Sequence, residues 1–233
     1  MESNENGNAN EKVFVAGPPI HIPHLFFGRT REIQRIFSYW RATPFEHVAI
    51  IGKRRSGKSS LLHYLRTITT TSVSNLRANQ KHDYLPRPQR IRWIFLDLQA
   101  AGMEQEEAVL RALLSGFGLS ELTPCTREQV FDATTTRPFM LTWGWALRSL
   151  VTNSPNRNLA LGVASCINPS ELGHDSSGVS PFSNIFNIEQ IGVFTESEAK
   201  ELIEASPIAF SETDKLWVLE QSRRWPLLLQ ILC

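Results

Sequence analysis

Eight consecutive residues early in the chain have the types and the spacing that bind phosphate groups. Segment 52–59 reads GKRRSGKS, which fits the pattern G-x-x-x-x-G-K-[ST]. The glycines let the backbone wrap around an anion with its N–H groups pointing inward, and a helix that begins after Gly57 adds its positive end. The pattern therefore predicts a loop that binds the phosphates of a nucleotide, with ATP and Mg²⁺ as the expected ligands.

Two side chains of this segment have defined chemical roles. Lys58 is expected to reach the β- and γ-phosphates of the nucleotide, and the hydroxyl of Ser59 is expected to bind Mg²⁺. The other residues predicted to line the phosphates are Gly52, Arg55, Ser56, Gly57 and Ser60. The simplest interpretation of Lys53, Arg54 and Arg55 is that they are solvated loop charges, which also add to the local attraction for phosphate.

The sequence on either side of the loop bears on whether the match arose by chance. The apolar run at 47–51 (HVAII) predicts a short buried strand, and the apolar spacing at 59–67 predicts a helix. A phosphate loop stands between a strand and a helix, so this context favours phosphate binding over a chance match.

Strands and helices alternate along the rest of the chain. Short apolar runs predict strands at 47–51, 91–98, 158–165 and 185–191, and another apolar run begins at 139–141. Helical spacing predicts helices at 29–40, 59–67, 105–115, 143–151 and, as a pair divided near Arg224, within 210–233. Thr195 and Glu198 form a capping box that opens a further helix, whereas 69–90 and 172–184 are predicted loops. This alternation predicts an α/β fold with a parallel sheet, helices on both of its faces, and a smaller helical domain beginning near Thr195.

Composition limits the classes of function. The chain has 233 residues, long enough for one large domain or for one domain plus a small satellite. With 42% hydrophobic and 20% charged residues, its composition is typical of a globular protein. Its formal charge of +1 gives no overall basic field, so nucleic acid is not an expected partner of these residues. No apolar run reaches about 18 residues, so no membrane span is predicted.

The cysteines and the first residues of the chain give two further predictions. Cys125, Cys166 and Cys233 lie far apart without a metal-binding spacing, which favours a reducing cytoplasm over a disulfide scaffold. Residues 1–11 are mostly Asn and Glu, and 1–16 are predicted to form a disordered lead.

Several segments resemble a known family once the phosphate loop is placed. Segment 26–32 (FFGRTRE), called the GR motif below, resembles the "hhGRxxE" motif of AAA+-like and STAND-class ATPases, the signal-transduction ATPases with numerous domains. The stretches 181–186 (PFSNIF), 192–196 (GVFTE) and 225–230 (WPLLLQ) are similar to bacterial members. The resemblance covers residues 20 to 233, nearly the whole chain.

The resemblance carries expectations about fold and site. It implies a P-loop NTPase-type three-layer domain over 17–194, followed at 195–233 by the start of a helical lid. It also implies that Phe27, Gly28, Arg29 and Pro226 contact the adenine or the lid. The alternative for the GR motif is an ordinary helix start, with Phe26 and Phe27 in the core and Glu32 as a surface charge.

Three positions depart from the family pattern. No Walker B acid follows the apolar run at 139–141, because Thr142, Trp143 and Gly144 come next. Cys166 stands where related ATPases carry a polar or basic sensor residue. Arg224 stands where the lid motif has glycine.

Another acid is needed if the chain hydrolyses ATP. Asp97 ends the apolar run WIFLD and is the candidate catalytic residue. The family's strand order puts that strand at the sheet edge, away from the phosphates, so a hydrogen bond to a turn is the preferred role for Asp97. Asp132 is a weaker candidate, since it lies in a polar, Thr-rich stretch. Without such an acid, the expectation is slow or absent hydrolysis.

Three functions follow from these expectations. The first is a nucleotide-dependent switch of the AAA+/STAND type, in which nucleotide clamps the helical lid and alters what attached protein domains or a second copy contact. The second is a non-catalytic nucleotide-binding scaffold. The third is a DNA-associated ATPase of the origin-recognition or transposition-helper kind, against which the charge argues. The expected location is the cytoplasm. The chain is also expected to be a fragment of a longer, multidomain protein.

Overall fold

The computed structural model describes residues 13–103, 105–116, 160–171 and 183–233. In these ranges the helices are α1 (Thr30–Arg41), α2 (Lys58–Thr67), α3 (Glu106–Gly116), α4 (Glu196–Glu204), α5 (Glu212–Ser222) and α6 (Pro226–Leu232). The strands there are β1 (His47–Ile51), β2 (Gly162–Ser165) and β3 (Phe186–Gln190). Short 3₁₀ turns stand at Pro23–Leu25, Ile68–Thr70, Val73–Asn75, Pro88–Arg90, Pro169–Glu171 and Ser183–Ile185.

The chain divides into two compact units. The first unit takes its residues from Met1–Gln34, Gly52–His82 and Gln190–Cys233, and the second from Arg35–Ile51 and Asp83–Glu189. The phosphate loop, the GR motif and helices α4–α6 belong to the first unit, whereas β1 and β2 belong to the second. The proposed division into domains at 17–194 and 195–233 stays a prediction.

A small parallel sheet forms the centre of the second unit. Its strand order is β2-β1-β3, and β1 pairs with β2 in parallel, with Val48 opposite Gly162 and Ile51 opposite Ser165. Four of the five residues of β1 are buried, which matches the continuous apolar run predicted for a central parallel strand. The α/β character expected from the sequence is therefore confirmed, with a sheet of three strands among the described residues.

Aromatic side chains fill the space beside this sheet. The ring of Phe37 stacks on Tyr84 with 4.5 Å between centroids, and Trp40 meets Trp93 edge-on at 5.2 Å. A Cβ at Gly162 would lie 3.1 Å from Trp40, so a glycine in β2 leaves room for the indole ring. The apolar face that the spacing of α1 predicts thus packs against β2, where Trp40 lies over Gly162.

One buried carboxylate in this unit was not anticipated. Glu189 on β3 is 2% exposed, and its Oε1 accepts hydrogen bonds from Arg35 Nε at 3.0 Å and from Tyr39 Oη at 3.0 Å. Burial of an unpaired carboxylate is costly, so these two partners on α1 are what allow a glutamate at this strand position.

Helices α4–α6, here the helical subdomain, pack around an apolar cluster in the first unit. The buried residues of this cluster are Phe27, Phe194, Ala199, Leu202, Ile203, Val218 and Leu229. Capping boxes begin α4 at Thr195 and α5 at Ser211, each satisfying two backbone N–H groups that the helix leaves free. The predicted capping box at Thr195 and the predicted pair of helices near Arg224 are both confirmed.

Residues 13–16, at the end of the predicted disordered lead, lie within the described ranges. Val13 and Phe14 pack against the apolar cluster of the helical subdomain, and the backbone N–H of Val15 donates to Gln230 Oε1 at 2.8 Å. Val13, Phe14 and Val15 therefore have partners far along the chain that local composition does not reveal, and the lead at 1–16 stays a prediction.

The prediction of a strand at 91–98 is wrong. Residues 91–97 adopt no regular secondary structure, and the side chains of Phe95 and Leu98 are 38% and 58% exposed. A short apolar run predicts burial but does not by itself supply a neighbouring strand to bond with. The predicted apolar run at 139–141, the helix at 143–151 and most of the loop at 172–184 lie outside the described residues.

Across the described ranges, none of the helices combines the length and the apolar character that crossing a bilayer requires.

The loop predicted at 69–90 contains only 3₁₀ turns as regular structure, as expected from its prolines and polar residues.

The cap of α5 gives a direct test of the helical subdomain. Ser211→Ala removes the hydroxyl that accepts from the Asp214 N–H at 3.2 Å, and we expect the free energy of unfolding to fall by about 1 kcal/mol. Thr213→Ala removes an exposed hydroxyl two residues later and should leave the free energy of unfolding within about 0.5 kcal/mol of the original. Urea unfolding of the two variants measures the difference, and equal midpoints would contradict the role given to the cap.

Candidate nucleotide-binding site

The phosphate loop connects the end of β1 to the start of α2. The backbone N–H of Ser56 donates to Lys53 O at 3.2 Å, which closes the turn. Arg55 and Gly57 both have positive φ angles, 68° and 92°. A Cβ at Gly57 would meet no described atom within 4 Å, so the glycine is required for its left-handed backbone rather than for space. These angles give the loop the curvature that a phosphate-binding segment needs.

Lys58, the first residue of α2, folds back over the loop. Its ammonium donates to Gly52 O at 2.7 Å and to Lys53 O at 3.0 Å. The positive charge therefore lies over the curve of the loop, beside the amino end of a ten-residue helix. Both features favour an anion at this position.

Close packing explains the first glycine of the motif. A Cβ at Gly52 would lie 2.5 Å from Ile191 O and 2.6 Å from Ser56 Oγ, which is closer than such atoms approach one another. The hydroxyl of Ser56 is buried and has no hydrogen-bond partner among the described residues. An unpaired buried hydroxyl is unusual in a folded protein.

The remaining predicted phosphate residues are placed differently. Arg55 donates to Gly17 O at 2.8 Å, and Ser60 Oγ accepts from the Ile20 N–H at 3.0 Å. Both side chains thus hold the extended segment before the GR motif. Ser59 is exposed in the first turn of α2, and its predicted bond to Mg²⁺ stays a prediction. In the described ranges no cluster of three or more His, Cys, Asp or Glu residues is arranged to hold a metal ion.

The GR motif is buried against the helical subdomain. Phe27 is 4% exposed within the apolar cluster, and the guanidinium of Arg77 lies 3.7 Å from its ring centroid. Gly28 has a φ angle of 69°, and a Cβ there would approach Phe194 at 3.0 Å and Glu198 at 3.1 Å. The ring of Phe27 is covered by protein atoms, and Gly28 has no side chain, so a contact from either residue to adenine would involve the backbone. The adenine role of the motif stays a prediction.

Arg29 is the most buried charge of the motif. Its side chain is 4% exposed, it forms an ion pair with Glu32 at 3.4 Å, and its guanidinium lies 4.8 Å from the ring centroid of Phe194. Burial lowers the pKa of Arg29, while the nearby charges of Glu32 and Glu198 oppose that shift. An arginine retains its charge under such conditions, so these acids and nearby carbonyls must compensate it.

A second arginine was missed by the sequence analysis. Arg77, in the predicted loop, donates to His24 O and to Phe26 O at 2.9 Å each and pairs with Glu201 at 3.2 Å. It thereby joins the segment around the GR motif to α4. No local pattern marks this residue, because its acceptors are backbone carbonyls about fifty positions away.

The lid positions have a conformational explanation. Arg224 has a φ angle of 59°, the left-handed region that glycine prefers, and the family pattern has glycine there. Its carbonyl accepts from the Phe194 N–H at 2.9 Å, which ties the start of α4 to the turn before α6. Pro226 is buried as the first residue of α6, a position that suits proline. Its predicted contact with adenine stays a prediction.

The acid candidates differ in what the structure says of them. Asp97 is exposed, and its Oδ1 accepts from the Gln99 N–H at 3.0 Å, so its carboxylate caps a turn as preferred from the sequence. Asp132 and the segment 137–144, where the Walker B acid was sought, lie outside the described residues. Cys166 is exposed and lies directly after β2.

Gly28 tests how tightly the motif is held. Gly28→Ala places a Cβ in the left-handed region and against Phe194 and Glu198, so we expect a loss of at least about 1–2 kcal/mol in the free energy of unfolding. Gly192→Ala is the matched control, since a Cβ there would meet no described atom within 4 Å and the φ angle is ordinary. Thermal melts of both variants measure the effect, and a stable Gly28→Ala protein would show that the packing is looser than described.

Comparison with known proteins adds no relative, because no protein-family model, no curated protein and no solved structure matches the chain. The interpretation of the site therefore depends on its own residues and geometry.

Proposed function

We propose that the chain is the ATP-binding P-loop domain of an AAA+/STAND-like regulatory ATPase, acting as a nucleotide-dependent switch with slow or impaired hydrolysis. The observation that carries the proposal is the phosphate loop itself. It combines the sequence GKRRSGKS, a left-handed Gly57, and an ammonium held over the loop by two backbone carbonyls. The finer fold assignment, a three-layer P-loop domain with a helical lid, belongs to the same proposal.

The position of Lys58 supports phosphate binding in a specific way. Its ammonium donates to Gly52 O and Lys53 O, which are neutral acceptors. A charged phosphate oxygen accepts a stronger hydrogen bond than a neutral carbonyl does. An incoming β- or γ-phosphate would take over one or both of these bonds. The backbone N–H groups of the loop and the start of α2 would bind the remaining oxygens.

Magnesium fits the same site as a partner of the nucleotide. Ser59 offers one exposed hydroxyl at the first turn of α2, and Mg²⁺ typically takes its other ligands from phosphate oxygens and water. When bound, the ion would neutralise charge between the β- and γ-phosphates. No further acidic ligand is needed for binding, although one is needed to order a hydrolytic water.

Slow hydrolysis follows from the acids available. Attack on the γ-phosphate requires a group that orients water, and Asp97 is engaged at a turn through Gln99. The backbone N–H groups of the loop and Lys58 contribute to nucleotide affinity. The lack of a water-orienting acid therefore lowers the rate of hydrolysis more than it lowers the affinity. A non-catalytic scaffold is the limiting case of this proposal, in which turnover is absent and only the bound state carries a signal.

Nucleotide binding is tested by calorimetry with Mg²⁺ in excess. We expect ATP to bind the wild-type chain, and Lys58→Ala to weaken binding about tenfold to a hundredfold, since a charge-assisted bond is lost. Lys53→Ala removes the same charge from an exposed position of the same loop and should change the affinity less than about threefold. Equal weakening by both variants would indicate general charge attraction in place of a phosphate site.

Hydrolysis is tested by phosphate release on the same proteins. Turnover is expected to stay well below ~1 s⁻¹, the lower end of ordinary enzymes. Asp97→Asn should leave the rate unchanged, because asparagine caps the same turn without supplying a carboxylate. A rate of ~1 s⁻¹ or more that falls in Asp97→Asn would refute the proposed impairment and identify Asp97 as the missing acid.

A further inference from the structure

The guanidinium of Arg29 contacts backbone carbonyls on two different segments of the first unit. One nitrogen, Nη2, donates to Ser56 O in the phosphate loop at 3.3 Å and also to Gly192 O. The other, Nη1, donates to Val193 O at 3.4 Å. Gly192 and Val193 form the turn that leads into α4, so a single side chain joins the phosphate loop to the helical subdomain.

The backbone of Arg29 strengthens this connection. Its N–H donates to Glu198 Oε1, while Glu198 Oε2 accepts from the Thr195 N–H at 2.8 Å in the capping box of α4. Arg29 has a φ angle of 62°, so its conformation is held by surrounding contacts rather than by local preference. Arg29 is therefore held at its backbone N–H as well as at its guanidinium.

The bond to Ser56 O has a direct consequence for the phosphate loop. In a trans peptide the carbonyl oxygen and the following N–H point in opposite directions. A donor fixed on Ser56 O therefore orients the Gly57 N–H away from Arg29. In the P-loop pattern this N–H belongs to the set that faces the phosphates. Arg29 thus reaches the phosphate-binding groups through a peptide bond, without contacting the nucleotide.

We propose that Arg29 is a positioning residue that couples nucleotide binding at the phosphate loop to the ordering of residues 192–204. The proposal rests on the proposed function, since it names how that site is regulated. Nucleotide on the loop favours one orientation of the 56–57 peptide, and the same guanidinium holds the turn before α4. Because coupling is reciprocal, a well-ordered turn also raises the affinity of the loop for nucleotide.

Lysine is the informative replacement. It retains a positive charge but offers one compact ammonium, which cannot reproduce the planar set of donors that reaches three carbonyls. Arg31→Lys is the matched control, because Arg31 is an exposed arginine of the same motif. The measurement is hydrogen–deuterium exchange with and without saturating Mg·ATP, together with ATP affinity and the melting temperature of each protein.

The wild-type chain and Arg31→Lys should show slower exchange on ATP addition both in the loop, residues 52–60, and in the turn and helix, residues 192–204. Arg29→Lys should bind ATP about tenfold more weakly, and at saturation should protect the loop while losing most of the protection at 192–204. A purely structural role would lower the melting temperature and leave both regions protected at saturation.

The alternative outcomes overturn the proposal at distinguishable points. Protection in the wild-type chain confined to 52–60 contradicts the coupling even if Arg29→Lys does not fold. Protection of both regions in a folded Arg29→Lys protein shows that Arg29 does not carry it. Absence of ATP binding by the wild-type chain refutes the proposed function itself, and the coupling with it.

Discussion

Three backbone carbonyls converge on one buried guanidinium where the phosphate loop meets the turn at residues 191–193. Ser56, Gly192 and Val193 provide these carbonyls, and Arg29 provides the donors that satisfy them. A buried charge is tolerated only with such compensation, and buried carbonyls are costly without donors. Gly52 allows the two backbones to approach, since any side chain there would collide with Ile191 O. Both ends of the phosphate loop are therefore set by the turn that precedes the helical subdomain.

The first unit is organised around that contact. Glu198 serves twice, as the N3 residue of a capping box and as the acceptor for the Arg29 N–H. Phe27, two residues before Arg29, lies in the apolar cluster of α4–α6, and the guanidinium of Arg77 lies over its ring. The loop proposed to bind phosphate is thus packed with the helices of one compact unit. Within this unit, hydrogen bonds of Arg29 join the loop to the turn before α4, the contact on which the proposed switch depends.

The features that the sequence predicts well are those that depend on neighbouring residues. Gly57 needs a left-handed backbone, Thr195 and Glu198 cap a helix within one turn, and β1 is a continuous apolar run. The failures involve partners far along the chain. Segment 91–98 is apolar but has no strand structure, and Val13 and Phe14 pack on the apolar cluster of α4–α6, which local composition does not predict. Neither the burial of Arg29 nor the bonds of Arg77 follow from spacing, because their acceptors are backbone atoms that any sequence provides.

A structure of the chain with Mg²⁺ and a non-hydrolysable ATP analogue tests the central claim most directly. The account predicts the β-phosphate within hydrogen-bond distance of the backbone N–H groups of the loop 52–59. It also predicts that the Lys58 ammonium moves from Gly52 O and Lys53 O onto phosphate oxygens, while Arg29 remains on Ser56 O and the turn. A nucleotide bound elsewhere, or a loop that keeps Lys58 on its own carbonyls at saturating analogue, would contradict it.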